Sequence, residues 1–274
     1  KKNLNMFDFR FGNKEEIISR DDEFLLFTKR MLPRWVNGIP DSECLSLYRL
    51  LKSNSIKSTE IIETGCGAST LALTLHAMLN DCKVFSWDTN PARGSFLKGV
   101  IYEAICKPLE KDLNDYWEFI AFDSTNKHLG ISVLKELEVS PSFGFFDSLH
   151  TLNHLVKEIE EFSEVATDVF FVVLDDANYT NRSENFSYIN MLRSKISLLP
   201  IDEPIENICE PYHKEIQNFL SKKFKNVVRV SNDFEKLMKN DIYFEYFSSD
   251  WKEMIKQGMA EKTKDRFVSF RINK

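Results

Sequence analysis

The sharpest chemical signal in the chain is Ile61-Ile62-Glu63-Thr64-Gly65-Cys66-Gly67-Ala68-Ser69-Thr70, an apolar run that ends in two close glycines and opens into helical period. Glycine lets a backbone turn tightly and lets a ligand approach where a Cβ would intrude. Ser69 or Thr70 can cap the helix that follows. A flat or anionic ligand is therefore expected on this turn. The turn is not a dinucleotide fingerprint, because Thr70 stands at the sixth position, where Gly or Ala allows close helix-strand packing, and Glu63 lies outside that pattern.

Acids recur after other apolar runs. Val84-Phe85-Ser86-Trp87-Asp88-Thr89 places Asp88 where it can accept hydroxyl groups or cap the helix that opens near Pro91. Asp123 and Ser124 follow Phe119 to Phe122, and an Asp-Ser pair there can also make an ordinary turn. Two further runs end in Asp147-Ser148-Leu149-His150 and in Asp175-Asp176-Ala177-Asn178-Tyr179. Adjacent strands lie ~5 Å apart, so Asp147, Asp175 and Asp176 can converge on one ion. Hard oxygen donors suit Mg²⁺, Mn²⁺ or Ca²⁺. The alternative is that these acids cap helices and turns.

The elements that must position these groups alternate. Strands are predicted at Thr59–Thr64, Lys83–Trp87, Glu118–Phe122, Phe143–Phe146, Val169–Leu174, Val227–Val230 and Phe267–Ile272. Helices are predicted from Ser69 to Asn80, after Asp147 and from Tyr212 to Phe224. The helix after Asp147 carries Leu152, Leu155, Val156 and Ile159 on one face, with Lys157, Glu158, Glu160 and Glu161 largely off it. This order predicts a mostly parallel sheet covered by helices on both faces, with a site at the carboxyl ends of the strands. Residues 14–55 read as two or three helices, with Leu45, Leu47, Tyr48, Leu50 and Leu51 as a packing surface toward the chain or toward a second copy.

Glu63 to Ser69 resembles motif I of the class I S-adenosylmethionine-dependent methyltransferases, Glu-x-Gly-x-Gly-x-Ser, residue for residue. The resemblance implies a Rossmann-like α/β fold with a seven-stranded sheet. It also implies an S-adenosylmethionine site using Glu63, Gly65, Cys66, Gly67, Ser69 and Thr70, with Asp88 and Thr89 at the ribose, Asp123 and Ser124 at the adenine, and Asp147 at the methionine ammonium. Residues 1–55 are then a helical cap, and 56–274 the methyltransferase domain with an insertion at about 231–265. Asp-x-x-His after one strand and Asp-Asp after the next look like the metal-dependent sugar and small-molecule O-methyltransferases of the macrocin and novobiocin pathways. In that group the equivalents of Asp147, Asp175 and Asp176 hold the metal, here expected to be Mg²⁺, Mn²⁺ or Ca²⁺. The glycine turn is shorter than the Glu-x-Gly-x-x-x-Gly-x-Ser usual there.

The implied reaction is methylation of a hydroxyl on a sugar or other small metabolite. His150 or Asp147 would accept the proton, while Tyr179, Asn181, Arg182, Asn185 and Tyr188 would line the acceptor pocket. His154 could pair with His150, but no zincin glutamate accompanies them, and His76, His128 and His213 are expected to be structural or on the surface. A silent binding protein on the same fold, or a protein or nucleic-acid methyltransferase, are the competing readings. Against an amino-methylating enzyme stands Asp147-Ser148-Leu149-His150 in place of an Asn/Asp-Pro-Pro-Tyr motif.

Composition narrows the classes. A net charge of -6 with no basic stripe disfavours nucleic acid. Five cysteines without a Cys-x-x-Cys pair suggest neither a disulfide framework nor a zinc ribbon. Lys1 to Arg20 lacks an apolar signal-peptide core, and no apolar run is long enough to span a bilayer, so a cytoplasmic location is expected.

Overall fold

The computed structural model describes residues 11, 13–56, 59–178, 190–191, 193–195, 197, 199–200, 210–238 and 265–274. Within them seven strands form one sheet: β1 Glu60–Thr64, β2 Lys83–Trp87, β3 Trp117–Ile120, β4 Pro141–Phe146, β5 Val169–Leu174, β6 Asn226–Val230 and β7 Val268–Asn273. Their order is β3-β2-β1-β4-β5-β7-β6. β1 to β5 pair in parallel, and β7 runs antiparallel between β5 and β6. This is the Rossmann-like class I methyltransferase arrangement, and it gathers the carboxyl ends of β1 to β5 on one edge.

Helices cover both faces. On the amino-terminal side lie α1 Lys14–Ser19, α2 Asp21–Arg30, a 3₁₀ turn at Arg34–Val36 and α3 Asp41–Ser53. α4 Ala68–Asn80, α5 Pro91–Ile101, α6 Leu152–Val165 and α7 Tyr212–Lys223 follow along the chain. Successive strand residues point to opposite faces, so central strands need apolar residues at nearly every position. Ile61 packs into one core with Leu47 and Leu51 of α3 and Leu71 and Leu75 of α4. Ile62 packs into the other with Ile159 and Phe162 of α6 and Ile216 and Leu220 of α7.

β3 and Glu158 differ from the sequence reading. β3 ends at Ile120 rather than Phe122, because the Phe122 amide turns back to the Ile120 carbonyl at 2.9 Å. At its other end Trp117 joins the strand, with its indole Nε1 donating to Ser86 Oγ at 2.9 Å. Glu158, read as lying off the apolar face of α6, is fully buried beside Leu155, Ile159 and Phe162. The surface of Leu45, Leu47, Tyr48, Leu50 and Leu51 on α3 is buried within this chain. Of the insertion at about 231–265, a short helix at Phe234–Met238 is described, and 239–264 lie outside the described residues. No helix among the described residues is long and apolar enough to cross a membrane.

The amino-terminal helices are tied down by charge as well as by apolar packing. Lys29 has no solvent exposure, and its Nζ lies 2.9 Å from Asp41 Oδ1, while Arg30 Nε donates to Asp41 Oδ2 at 2.7 Å. Removing one partner of such a pair leaves an uncompensated buried charge. Asp41→Ala is expected to destabilise the protein by about 3 kcal/mol in urea unfolding. Arg30→Ala, which removes a more exposed partner, should cost under about 1 kcal/mol.

Candidate cofactor site and adjoining acid cluster

The turn after β1 is built around Gly65, which holds φ at +83°. A Cβ there would overlap the main-chain carbonyl oxygen of Asp147 at the end of β4. The two strand ends are spliced by Gly65 N donating to Trp87 O at 2.8 Å and Asp147 N donating to Thr64 O at 2.9 Å. Gly67 serves as N-cap of α4, and its amide donates to Thr70 Oγ1 at 3.0 Å. A Cβ on Gly67 would lie 3.1 Å from Val36 O, so the 3₁₀ turn of the amino-terminal cap sits directly over the glycine turn.

Glu63 does not face the site. It is wholly buried, with Oε1 accepting from Ser69 Oγ at 2.6 Å and Oε2 accepting from Thr70 Oγ1 and Ser86 Oγ at 2.8 Å each. One carboxyl thus ties β1 to α4 and β2. Burial raises its pKa to about 7, against the pull of the three hydroxyls. Glu63 and Thr70 are positioning residues here rather than contacts to a ligand.

The glycine turn opens on a cavity of about 400 Å³ lined by Gly65, Trp87, Asp88, Thr89, Phe122, Asp123, Ser124, Asp147 and Leu149, with Arg93, Ser148, His154 and Arg193 around them. A smaller cleft of about 90 Å³ shares Gly65, Arg93 and Asp147 and adds Trp35, Cys66, Gly67 and Ser69. Most of the residues assigned to a cofactor from the sequence are therefore gathered in one place. Asp88 is held in position rather than loose. Its Oδ2 accepts from Cys66 N and Arg93 Nη1, both at 3.0 Å, and its Oδ1 accepts from Asn90 N at 2.8 Å. Asn90, not Asp88, caps α5. An ionised carboxylate has about four acceptor positions, so roughly one remains open for a ligand hydroxyl while Arg93 stays in place.

Asp123 is exposed and closes a local turn, accepting from Thr125 N at 2.7 Å and Thr125 Oγ1 at 2.8 Å. Burial pushes its pKa up, but the Thr125 hydroxyl and amide pull it below the ordinary value. Ser124 donates to Glu158 Oε1, as does Ser148 Oγ at 2.6 Å, and His154 Nε2 lies 3.2 Å from the same oxygen. Burial lowers the His154 pKa, while Glu158 more than offsets this and leaves it raised. Glu158 thus fixes one wall of the cavity from the buried face of α6.

Asp147, Asp175 and Asp176 converge as expected, but a fourth acid joins them: Glu43 of α3, fully buried. A cation is already among them. Arg266 Nε lies 2.9 Å from Asp176 Oδ1 and 3.6 Å from Asp175 Oδ1, and its Nη2 lies 3.4 Å from Glu43 Oε2. His150 Nε2 stands 3.6 Å from Asp147 Oδ1 and 3.7 Å from Asp176 Oδ2. Burial and the Asp175 charge hold the carboxyls of Glu43 and Asp147 well above their ordinary range. Burial pushes Asp175 up as well, but Arg266 and the Glu43 carboxyl keep it below its ordinary value. Neither Glu43 oxygen meets a hydrogen-bond donor, and the charge of Asp175 adds to the effect of burial on its carboxyl.

Arg266 already takes up oxygens of Asp175 and Asp176 and approaches Glu43, which leaves this donor set a poor fit for a divalent ion. Among the described residues no group of three or more His, Cys, Asp or Glu side chains is arranged to hold one. The sequence expectation of a metal on Asp147, Asp175 and Asp176 is thus not supported, and the cation found beside the paired aspartates is Arg266.

Glu43, Arg93, Glu158, Arg193 and Arg266 were not expected from the sequence. Arg93 could have been found, since it lies five residues after Asp88 and one turn into a helix. Glu158 completes the spacing of Leu155, Ile159 and Phe162, which marks the buried stripe. Glu43 and Arg266 have no local signal. Tyr179, Asn181, Arg182, Asn185 and Tyr188 lie outside the described residues. His76 and His213 are structural, bonded to the carbonyls of Ile56 at 2.6 Å and Ala177 at 2.9 Å.

No protein-family model matches the chain, and no curated protein does. Among solved structures, the chain is similar to an O-methyltransferase from Bacillus cereus in complex with SAH, at 12% identity and TM-score 0.46, over 95% of this chain and 96% of that one. It is also similar to MccD protein, at 13% identity and TM-score 0.46, over 86% of this chain and 100% of that one. A methyltransferase from Podospora anserina, PaMTH1, bound to SAH, matches at 14% identity and TM-score 0.43, over 57% of this chain and 61% of its own length. Likeness of this order carries no functional argument, and function is argued below from the site.

The buried Glu63 makes a pH prediction. Its carboxyl holds its proton up to about pH 7 in the folded protein but loses it from about 4.5 when unfolded. Its contribution to stability is therefore present below pH 4.5 and is lost as pH rises through 7. The loss amounts to about 3 kcal/mol. Glu43 and Asp147 act with the same sign. Urea unfolding of Glu63→Gln between pH 4.5 and 8 should show a shallower decline than the parent chain, and the difference between the two isolates Glu63.

Proposed function

We propose that the chain is an S-adenosylmethionine-dependent methyltransferase that acts on a hydroxyl of a small molecule. The observation that supports this best is the glycine turn of β1, the acid at the end of β2 and Asp147 at the end of β4 opening together on one cavity of about 400 Å³. The lining fits the cofactor by chemistry. Gly65 allows the tight turn that brings Asp147 to the cavity, Asp88 offers an acceptor position to a ribose hydroxyl, and Trp87, Phe122 and Leu149 supply apolar surface for a base. Bound there, the cofactor would supply a methyl group already activated on a sulfonium.

The protein's part is then to bind, orient and exclude water. Asp147 reaches the cavity, and burial with the Asp175 charge raises its pKa well above the ordinary range, which favours it as a donor to a ligand over a base. We assign the uptake of a proton from an acceptor hydroxyl to His150, whose Nε2 lies 3.6 Å from Asp147 Oδ1 and 3.7 Å from Asp176 Oδ2. No divalent ion enters this reading, since Arg266 already serves the acids.

Titration calorimetry with S-adenosylmethionine and S-adenosylhomocysteine tests the binding claim, and no heat with either at millimolar ligand would defeat it. Asp88→Asn should weaken binding by roughly 10- to 100-fold, the worth of one or two charge-assisted hydrogen bonds. With an acceptor found from a panel of hydroxyl compounds, His150→Gln should lower kcat by roughly 10²-fold or more while leaving cofactor affinity unchanged. Binding without turnover on any acceptor would favour a silent binding protein on this fold.

A further inference from the structure

The acid cluster is assembled from four parts of the chain: Glu43 from α3, Asp147 from the end of β4, Asp175 and Asp176 from the end of β5, and Arg266 from just before β7. The position of the guanidinium is fixed by backbone pairing. Ala177 N donates to Arg266 O at 2.8 Å, and two residues on Val268 pairs in register with Leu174. Antiparallel β7 therefore delivers Arg266 to the two aspartates wherever β5 and β7 are paired. Phe267, between Arg266 and the strand, is fully buried and packs on Phe145 and Phe234, which locks the approach from the other side.

A guanidinium and a divalent ion compete for the same oxygens on different terms. Mg²⁺ needs a near-octahedral oxygen shell at about 2 Å, whereas a guanidinium spreads one permanent charge over a planar fork of donors. With Arg266 Nε 2.9 Å from Asp176 Oδ1, an ion bound to that oxygen would lie in contact with another cation. The demand for charge also differs. Buried Glu43, absent from any simple reading of the two strand ends, adds a further acid that Arg266 Nη2 approaches at 3.4 Å. One arginine thus answers three acids from two sides of the sheet.

We infer that Arg266 is a built-in counter-ion that takes up the oxygens of Asp175 and Asp176 that a divalent metal would need, so that this site excludes metal instead of binding it. Arg266 is a positioning residue in this arrangement. The inference stands on the geometry of the cluster and does not rest on the methyl-transfer reading.

The test is the electron paramagnetic resonance signal of free Mn²⁺ in the presence of the full chain, with thermal unfolding recorded alongside. The parent protein should leave the signal undiminished, and its Tm should not move with millimolar Mn²⁺. Arg266→Met should lower Tm by roughly 10 °C, as expected when a buried pair loses one partner. It should also bind Mn²⁺, seen as loss of the free-ion signal and partial recovery of Tm. Arg266→Lys, which keeps a cation there, should again leave the signal undiminished. If Arg266→Met does not fold, Arg266→Met combined with Glu43→Gln keeps all three aspartates with one acid fewer, and it should bind Mn²⁺ in the same way. Stoichiometric Mn²⁺ binding by the parent protein that disappears in Asp175→Asn would overturn the inference. So would a folded Arg266→Met or double variant that leaves the signal untouched.

Discussion

The contact on which the rest of the site depends is between two main chains. β1 and β4 converge at their carboxyl ends so closely that the Asp147 carbonyl occupies the space of a side chain at position 65. Only a residue without a Cβ, free to adopt φ near +83°, can stand there. That single approach sets the start of α4 and brings Asp147 to the rim of the cavity. Parallel strands twist and splay at their ends, and the cavity is the wedge that remains where β1 and β4 stay together while the loops after β2 and β3 turn away.

Placing carboxyls at the ends of buried strands creates a second constraint, since a charge without a partner is costly there. The fold meets it in three ways. Glu63 is solvated by the hydroxyls of Ser69, Thr70 and Ser86, which let it hold or release a proton near neutrality. Glu158 takes Ser124, Ser148 and His154, and in return orients three groups of the cavity wall. The acids after β4 and β5 are too many for neutral donors, and they need Arg266. The partner scales with the amount of charge to be stabilised: hydroxyls for one carboxyl, hydroxyls with a histidine for the next, an arginine for the cluster.

These differences explain what could be read from the chain in advance. The glycine turn, Asp88, Asp147 and the Asp175-Asp176 pair were legible because each is a local pattern, an apolar strand run followed by a polar residue at its end. All seven strands were placed within two residues for the same reason, and β3 was shifted at both ends, where Trp117 joins it and where the Phe122 amide turns back on Ile120. The partners were not legible. Arg266 stands 90 residues after Asp176 in sequence, and Glu43 precedes the first strand, so no window of the chain shows them together. The expectation that Asp175 and Asp176 call for a cation was sound in its electrostatics, and the cation beside them is Arg266. Glu158 was a different failure, one of weighting: its helical position lies on the buried stripe, but its charge argued for solvent.

The site therefore has a local half and an assembled half, and Asp147 belongs to both. Its main chain closes the glycine turn and its carboxyl lines the cavity, while burial and the charge of Asp175, itself held beside Arg266, raise its pKa well above the ordinary range. An arginine 90 residues beyond Asp176 in sequence thus bears, through Asp175, on a carboxyl that the glycine turn brings to the cavity.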